Sequence, residues 1–212
     1  MRIKEFHEAE SLDGAYAYVK EHDAKVLGGG AFLNFGKGEI DYAVDISNLG
    51  LDYIRETDSD IEIGAMTKIR EMERNKILSG FYDGILPETA KCIMGVQIRN
   101  TATIGGTVWG RFGFSDMLSS LLVLDSYAEL YKAGRMPIEE FIESGINKDI
   151  LVKIIIKKTD MKARHMNFKN TGTSFSTLNT AVSNTGGSFK IAVGARPNAA
   201  KLAHKAMEFI SG

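Results

Sequence analysis

Three patterns predict an α+β fold in three parts for this 212-residue chain. They are amphipathic helical stripes, short β-type runs bounded by turn residues, and a polar stretch from Lys157 to Lys162 beyond which strand-like runs dominate. The expected parts are a small lobe to about residue 55, a larger lobe to about residue 159, and a C-terminal unit from 160 to 212.

The elements follow in order. Ser11 to Glu21 reads as a helix, with Ser11 as its cap and Leu12, Ala15, Tyr16 and Val19 as an apolar stripe. Lys25 to Leu27 and Tyr42 to Ile46 are short strands. Asp58-Ser59-Asp60 is a turn before the strand Ile61 to Ile63. Thr67 to Asn75 is a short helix, and Ile77 to Lys91 a second one interrupted near Pro87. Ser115 to Leu124 is apolar at nearly every second or third position, as a largely buried helix would be. In Asp149 to Lys157 the β-branched content predicts a strand with Ile150, Val152, Ile154 and Ile156 on one face. His165 to Lys169, Ser176 to Val182 and Phe189 to Val193 read as three further strands, with a hairpin turn at Asn184 to Ser188. Pro197 to Ile210 closes the chain as a helix, Pro197 near its first turn.

Composition excludes several functional classes. With 44% hydrophobic and 25% charged residues the chain is an ordinary globular protein, and a net charge of −1 offers nothing to nucleic acid or an acidic membrane. The mixed start Met1 to Glu8 is not a signal peptide, and no apolar run approaches membrane-spanning length, so the cytoplasm is the expected location. Cys92 is the single cysteine, which excludes an intrachain disulfide and an all-cysteine metal or iron–sulfur site. His7, His22, His165 and His204 lack metal-ligand spacing and read as structural or surface residues; no metal site and no Ser/His/Asp or Cys/His nucleophile is expected.

Two glycine-containing segments carry the chemistry: Val26-Leu27-Gly28-Gly29-Gly30-Ala31-Phe32-Leu33 and Gln97-Ile98-Arg99-Asn100-Thr101-Ala102-Thr103-Ile104-Gly105-Gly106. A residue without a Cβ allows close approach and positive φ, so successive N–H groups can form a concavity for a diphosphate. Each pair read alone is a turn; two pairs, each flanked by β-type residues, suggest a shared anion site.

The chain resembles the FAD-binding, medium subunit of the molybdenum hydroxylases, the family that includes xanthine dehydrogenase and carbon monoxide dehydrogenase. Gly28 to Leu33 aligns with the family's Ala-Gly-Gly-Thr-Asp-Leu, and Gln97 to Thr107 is similar to its Gln-Ile-Arg-Asn-x-Ala-Thr-Ile-Gly-Gly-Asn. Ile63-Gly64-Ala65-Met66-Thr67 and the run Ser115-Asp116 to Asp125 resemble two further motifs, in the family's order. The resemblance implies a two-lobed FAD-binding domain of the PCMH type (1–55 and 56–159). It also implies a shortened C-terminal α+β domain (160–212) of a three-stranded sheet with helix.

The same resemblance implies site residues. Val26, Leu27, Gly28, Gly29, Gly30, Ala31, Phe32 and Leu33, with Thr103, Ile104, Gly105, Gly106 and Thr107, would hold the FAD diphosphate through backbone amides, and the Thr103 hydroxyl would add a phosphate hydrogen bond. Asp116 falls where the family's carboxylate meets sugar or ribityl hydroxyls; otherwise it is a helix-terminal acid stabilised by the dipole. Ile93 would face the isoalloxazine, though alone it is an ordinary core residue. Leu151 and Lys169 match two further contacts; a lysine there stabilises negative charge on reduced flavin, and otherwise it is a solvated strand residue. No side chain is expected to act as an acid or base.

By that resemblance electrons would pass from the iron–sulfur subunit, after oxidation on the molybdopterin subunit, through FAD to NAD or another acceptor. The departures are Ala31-Phe32 for Thr-Asp, Thr107 for Asn, and Arg111-Phe112-Gly113-Phe114 without the family's proline. They remove polar side chains and leave backbone contacts. Two other readings stay open: a stand-alone flavin oxidoreductase of the same superfamily, and a flavin-free scaffold subunit.

Overall fold

The computed structural model describes residues 2–31, 38–195 and 199–211. Phe32, Leu33 and Pro197 lie outside them. Three sheets organise the described chain. The first is parallel, in the order β1 (Arg2–Glu8), β3 (Glu39–Asp45), β2 (Lys25–Leu27). Helix α1 (Leu12–His22) starts where Ser11 Oγ accepts the Gly14 N–H, and it buries Ala15 and Val19 against this sheet.

The second sheet has five strands in the order β4 (Ile54–Glu56), β5 (Asp60–Gly64), β8 (Leu151–Lys157), β6 (Ser126–Leu130), β7 (Gly134–Pro137), all antiparallel. Its helices are α2 (Ile69–Arg74), α3 (Lys76–Ser79), α4 (Ile85–Cys92), α5 (Val96–Thr101), α6 (Ile104–Trp109), α7 (Asp116–Val123) and α8 (Ile138–Glu143). The third sheet, β9 (Lys162–Lys169), β10 (Ser176–Thr185), β11 (Ser188–Gly194) and β12 (Lys201–Leu202), is antiparallel, and α9 (His204–Ser211) follows it. Among the described residues no helix is long and apolar enough to cross a membrane.

Helix α7 is the keystone of the larger core. All eight of its residues are buried, so the helix is enclosed rather than amphipathic. Leu118 and Leu121 meet Ile154, Ile156 and Phe141 in the same cluster, and the Ser183 hydroxyl of β10 donates to the Val123 carbonyl at 2.6 Å. The C-terminal sheet therefore shares this core, contributing Ala163, Ala181 and Ala192.

Several expectations are corrected. The interruption in 77–91 sits at Asp83 and Gly84, whose φ values of 54° and 73° turn the chain, and not at Pro87. Pro87 lies in the first turn of α4, where its missing N–H costs nothing. Strand β8 does not keep one face: the register skips from Glu129–Lys153 to Leu130–Leu151. This bulge turns Ile150 and Val152 to the small-lobe core while Leu151, Ile154 and Ile156 stay in the large one. The last helix begins at His204 because Lys201 and Leu202 pair with β11 first, making a fourth strand. The hairpin turn stands as expected, on Gly186 and Gly187 at φ 56° and 95° between the paired Thr185 and Ser188.

Truncating the keystone tests this account. Leu121→Ala, at a fully buried position, is expected to cost about 3 kcal/mol through lost burial and a residual cavity. Urea unfolding followed by circular dichroism measures it, and a cost below about 1 kcal/mol would contradict the packing described.

Candidate functional site

The two glycine segments meet backbone to backbone. A Cβ added at Gly28 would lie 2.9 Å from Thr103 Oγ1 and 3.1 Å from both Cα and N of Gly106. Thr103 ties the two together: its hydroxyl donates to the Gly28 carbonyl at 3.0 Å and accepts the Gly106 N–H at 3.0 Å. The second segment is also sewn to the connector Gly64–Thr67. Gly105 N–H donates to the Ala65 carbonyl at 2.8 Å and Ile104 N–H to the Thr67 carbonyl at 3.0 Å. The Ala65 N–H in turn reaches the Val152 carbonyl at the β8 bulge, at 2.9 Å.

The second segment is not a loop between strands; Gly105 and Gly106 form the first turn of α6, between two helices. Its amides are satisfied inside the protein, Thr107 N–H included, which donates to the Thr103 carbonyl at 3.1 Å. The Thr103 hydroxyl donates its proton to the Gly28 carbonyl. A Cβ at Gly105 would meet Ala65 O at 2.6 Å and Ala65 Cβ at 2.8 Å, so the bare backbone of this glycine serves the seam between the segments. Ile104 is fully buried in the core. The first segment differs: Gly29 and Gly30 stand at φ 76° and 68°, and their N–H groups meet no acceptor among the described residues.

Two adjoining cavities open at this seam. The larger, about 170 Å³, is lined by Val26, Gly28, Gly30, Ala31, Thr103, Gly105, Gly106, Thr107 and Leu151 of the expected residues. Sequence reasoning missed Lys25, Ile46, Met66, Trp109, Phe112 and Asp149 on its wall. Asp149 is not an open anion there: it accepts the N–H groups of Lys132, Ala133 and Ile150 at 3.1, 2.8 and 2.7 Å. The smaller cavity, about 20 Å³, is lined by Ile93, Asp116 and Lys169 together with Phe114, Phe175 and Ser176. Ala102 and Thr107 border both. Of the expected residues, Leu27, Gly29 and Ile104 line neither cavity, and Phe32 and Leu33 lie outside the described residues.

The smaller cavity is held by charge. Asp116 opens α7 behind its cap Ser115 and is buried. Its Oδ1 accepts from Ser176 Oγ at 2.7 Å and Asn167 Nδ2 at 3.4 Å, and lies 3.5 Å from His165 Nε2. Lys169 donates its ammonium to the Cys92 carbonyl at the end of α4. That contact turns it toward the helix terminus, where a cation is favoured. Below, Arg99 of the second motif is buried and clamps the turn that carries Ile93. It donates to the Ile93 and Met94 carbonyls at 2.9 and 2.8 Å and pairs with Glu73 at 2.8 Å. Burial works against ionisation of Glu73, but the Arg70 and Arg99 guanidinium groups outweigh it and hold its carboxyl below the usual range.

Residues 2–158 match the family model of the FAD binding domain in molybdopterin dehydrogenase. The 6-hydroxypseudooxynicotine dehydrogenase complex subunit alpha of Paenarthrobacter nicotinovorans is 34% identical over 153 residues, covering 68% of this chain and 51% of that protein. The carbon monoxide dehydrogenase medium chain of Hydrogenophaga pseudoflava is 32% identical over 111 residues, covering 49% of this chain and 38% of that one. A solved carbon monoxide dehydrogenase structure from the same organism, which lacks the Mo-pyranopterin moiety of its cofactor, superposes with a TM-score of 0.88 at 25% identity. It covers 98% of this chain and 79% of that one. The chain thus spans about half the length, or less, of these two curated relatives. Fold and site define a two-lobed flavin-binding module. The chain belongs to the family of FAD binding domains in molybdopterin dehydrogenases, and FAD is its cofactor.

The site fits that cofactor. The larger cavity has on its wall Gly30, whose N–H meets no acceptor among the described residues, and Lys25, and the one acid lining it, Asp149, is already satisfied.

The Arg99 clamp has a testable energy. Arg99→Met leaves the partly buried Glu73 with Arg70 alone and the Ile93 and Met94 carbonyls without their donor, and is expected to cost about 2 kcal/mol at pH 7. Glu73 has a lowered folded pKa, so its contribution is present above the ordinary carboxyl range and lost as pH falls through the folded value. The gap between variant and wild type, measured by urea unfolding across pH, should therefore shrink in acid. A gap that stays constant to low pH would show that the pair is not its source.

Proposed function

We propose that this chain is the FAD-binding electron-transfer subunit of a multi-subunit molybdenum hydroxylase. The observation that carries the reading is the pair of cavities joined at Ala102 and Thr107, with Gly29 and Gly30 amides that meet no acceptor among the described residues beside one and an acid and a lysine beside the other. In this reading residues 1–159 are the FAD-binding domain, in lobes 1–55 and 56–159, and 160–212 the C-terminal domain. Gly29 and Gly30 offer their amides to the diphosphate across the seam, and Lys25 adds a cation. Asp116 accepts from a cofactor hydroxyl. Ile93 packs against the ring, and Leu151 lines the larger cavity.

FAD supplies the hydride and single-electron chemistry when bound. The chain's own residues position it and tune it: Lys169 places positive charge beside the ring's border, and the apolar walls exclude water. No side chain acts as acid or base. Substrate oxidation belongs to a molybdopterin partner, electrons arrive through an iron–sulfur partner, and they leave to NAD or another acceptor. The outer face of β9 and β10 exposes Met166, Phe168 and Leu178, apolar surface that a partner chain would cover. The complex would work in the cytoplasm.

Thr103→Val tests the seam. The change keeps the shape of the side chain and deletes both of its hydrogen bonds, freeing Gly28 to drift from Gly106. FAD affinity, followed by flavin fluorescence quenching, is expected to fall about tenfold or more. A folded Thr103→Val protein with wild-type affinity would refute the proposed site, and a wild-type chain unable to bind FAD would favour the scaffold reading.

The subunit reading has its own test. Purified alone, the loaded chain should accept electrons from dithionite but not from an organic substrate. Turnover of a substrate by the single chain would instead make it a stand-alone flavin oxidoreductase.

A further inference from the structure

His165 is the group that neither the motifs nor the proposed electron path uses. Its side chain is 1% exposed, and its Nε2 has no hydrogen-bond partner, only the Asp116 carboxylate 3.5 Å away. A buried donor aimed at a buried acid, and held by nothing else on that nitrogen, needs a reason. The geometry of Asp116 supplies one. Three groups from β9 and β10, namely His165, Asn167 and Ser176, gather on Oδ1. Oδ2 accepts from no described residue, and Asp116 borders the smaller cavity. The arrangement restrains one oxygen from behind and leaves the other for a hydroxyl donor.

We propose that His165 is a positioning residue for FAD: its imidazolium fixes the Asp116 carboxylate with one oxygen offered to the cavity, making cofactor affinity depend on pH. The proposal rests on the FAD reading above. The groups facing the imidazole are few. Asp116 comes from α7, Cys92 from α4, Asn167 and Lys169 from its own strand, and Ser176 from β10, whose register partner for His165 is Ala181. Asp116 is the one carboxylate among them. Burial disfavours the charged imidazole, but Asp116 and Cys92 outweigh it and raise its pKa above the ordinary histidine value. A raised pKa means that the ion pair is complete below the ordinary value and is lost as pH rises through the folded one. Above it the carboxylate loses its counter-charge and is free to turn toward other donors, so affinity falls with rising pH.

The experiment titrates FAD into the wild-type chain, His165→Gln, His165→Asn, Asp116→Asn and the His165→Gln/Asp116→Asn double variant between pH 5.5 and 9, by flavin fluorescence. Near-ultraviolet circular dichroism checks the fold. Wild-type affinity should weaken as pH rises. Both His165 variants should bind about tenfold more weakly at pH 6, the effect of losing one charge-assisted contact, and show a flat pH profile. The double variant should be no worse than Asp116→Asn, because both act on one group. In parallel, the histidine resonances of the apo chain should show one imidazole titrating above the ordinary range, moved down by Asp116→Asn. If folded His165→Gln or His165→Asn keeps wild-type affinity and pH dependence, the inference falls while the FAD reading stands. A wild-type chain that does not bind FAD overturns both.

Discussion

Everything in the site depends on one backbone contact, the approach of Gly28 to Gly106. Main chains can come this close only where no Cβ intervenes, and here a side chain on either glycine would occupy the other's space. Thr103 then locks the contact with two hydrogen bonds, and Gly105 locks it from the other side against Ala65. The seam joins the parallel sheet of the small lobe to the antiparallel sheet of the large one. The cavity opens along it, where Gly28, Gly105 and Gly106 leave bare backbone, and larger side chains such as Met66 and Trp109 complete the walls.

The β8 bulge extends the same constraint. By shifting register at Val152 it frees a carbonyl for the Ala65 N–H and turns Ile150 and Val152 to the small-lobe core. One strand thereby serves both cores, and the connector Gly64–Thr67 has a fixed anchor on each flank. The glycine segments are thus positioned by the sheets beneath them.

Charge is treated with equal economy near the cavities. The buried and partly buried acids have partners chosen by position: backbone amides for Asp149, two arginines for Glu73, and a nearby histidine with two neutral donors for Asp116. An unpaired carboxylate in such surroundings would be costly, so these partners hold the loops and helix ends in place as they satisfy the acids. Asp116 is the one whose second oxygen remains on offer.

Much of this was legible in local sequence. Ser11 and Ser115 announce their helices because a cap needs only the residues that follow it. Gly186-Gly187 announces its hairpin through φ alone. The Gln97 to Thr107 motif, by its resemblance, indicated a flavin protein. What stayed hidden depends on residues distant in the chain. The seam partners of Gly105 and Thr103 are 40 and 75 positions away, so no local pattern could show the contacts that both residues make. The β8 bulge is set by pairing with β6, which alternation within β8 cannot express. His165 looked like any isolated histidine until β9 packed it beside α7. The sequence by itself determined the family, the cofactor and most of the helices and strands, since those are written in local patterns. The tertiary structure alone decided which amides are left for a ligand and which charges face each other, because hydrogen bonds and burial are settled by what the fold brings together.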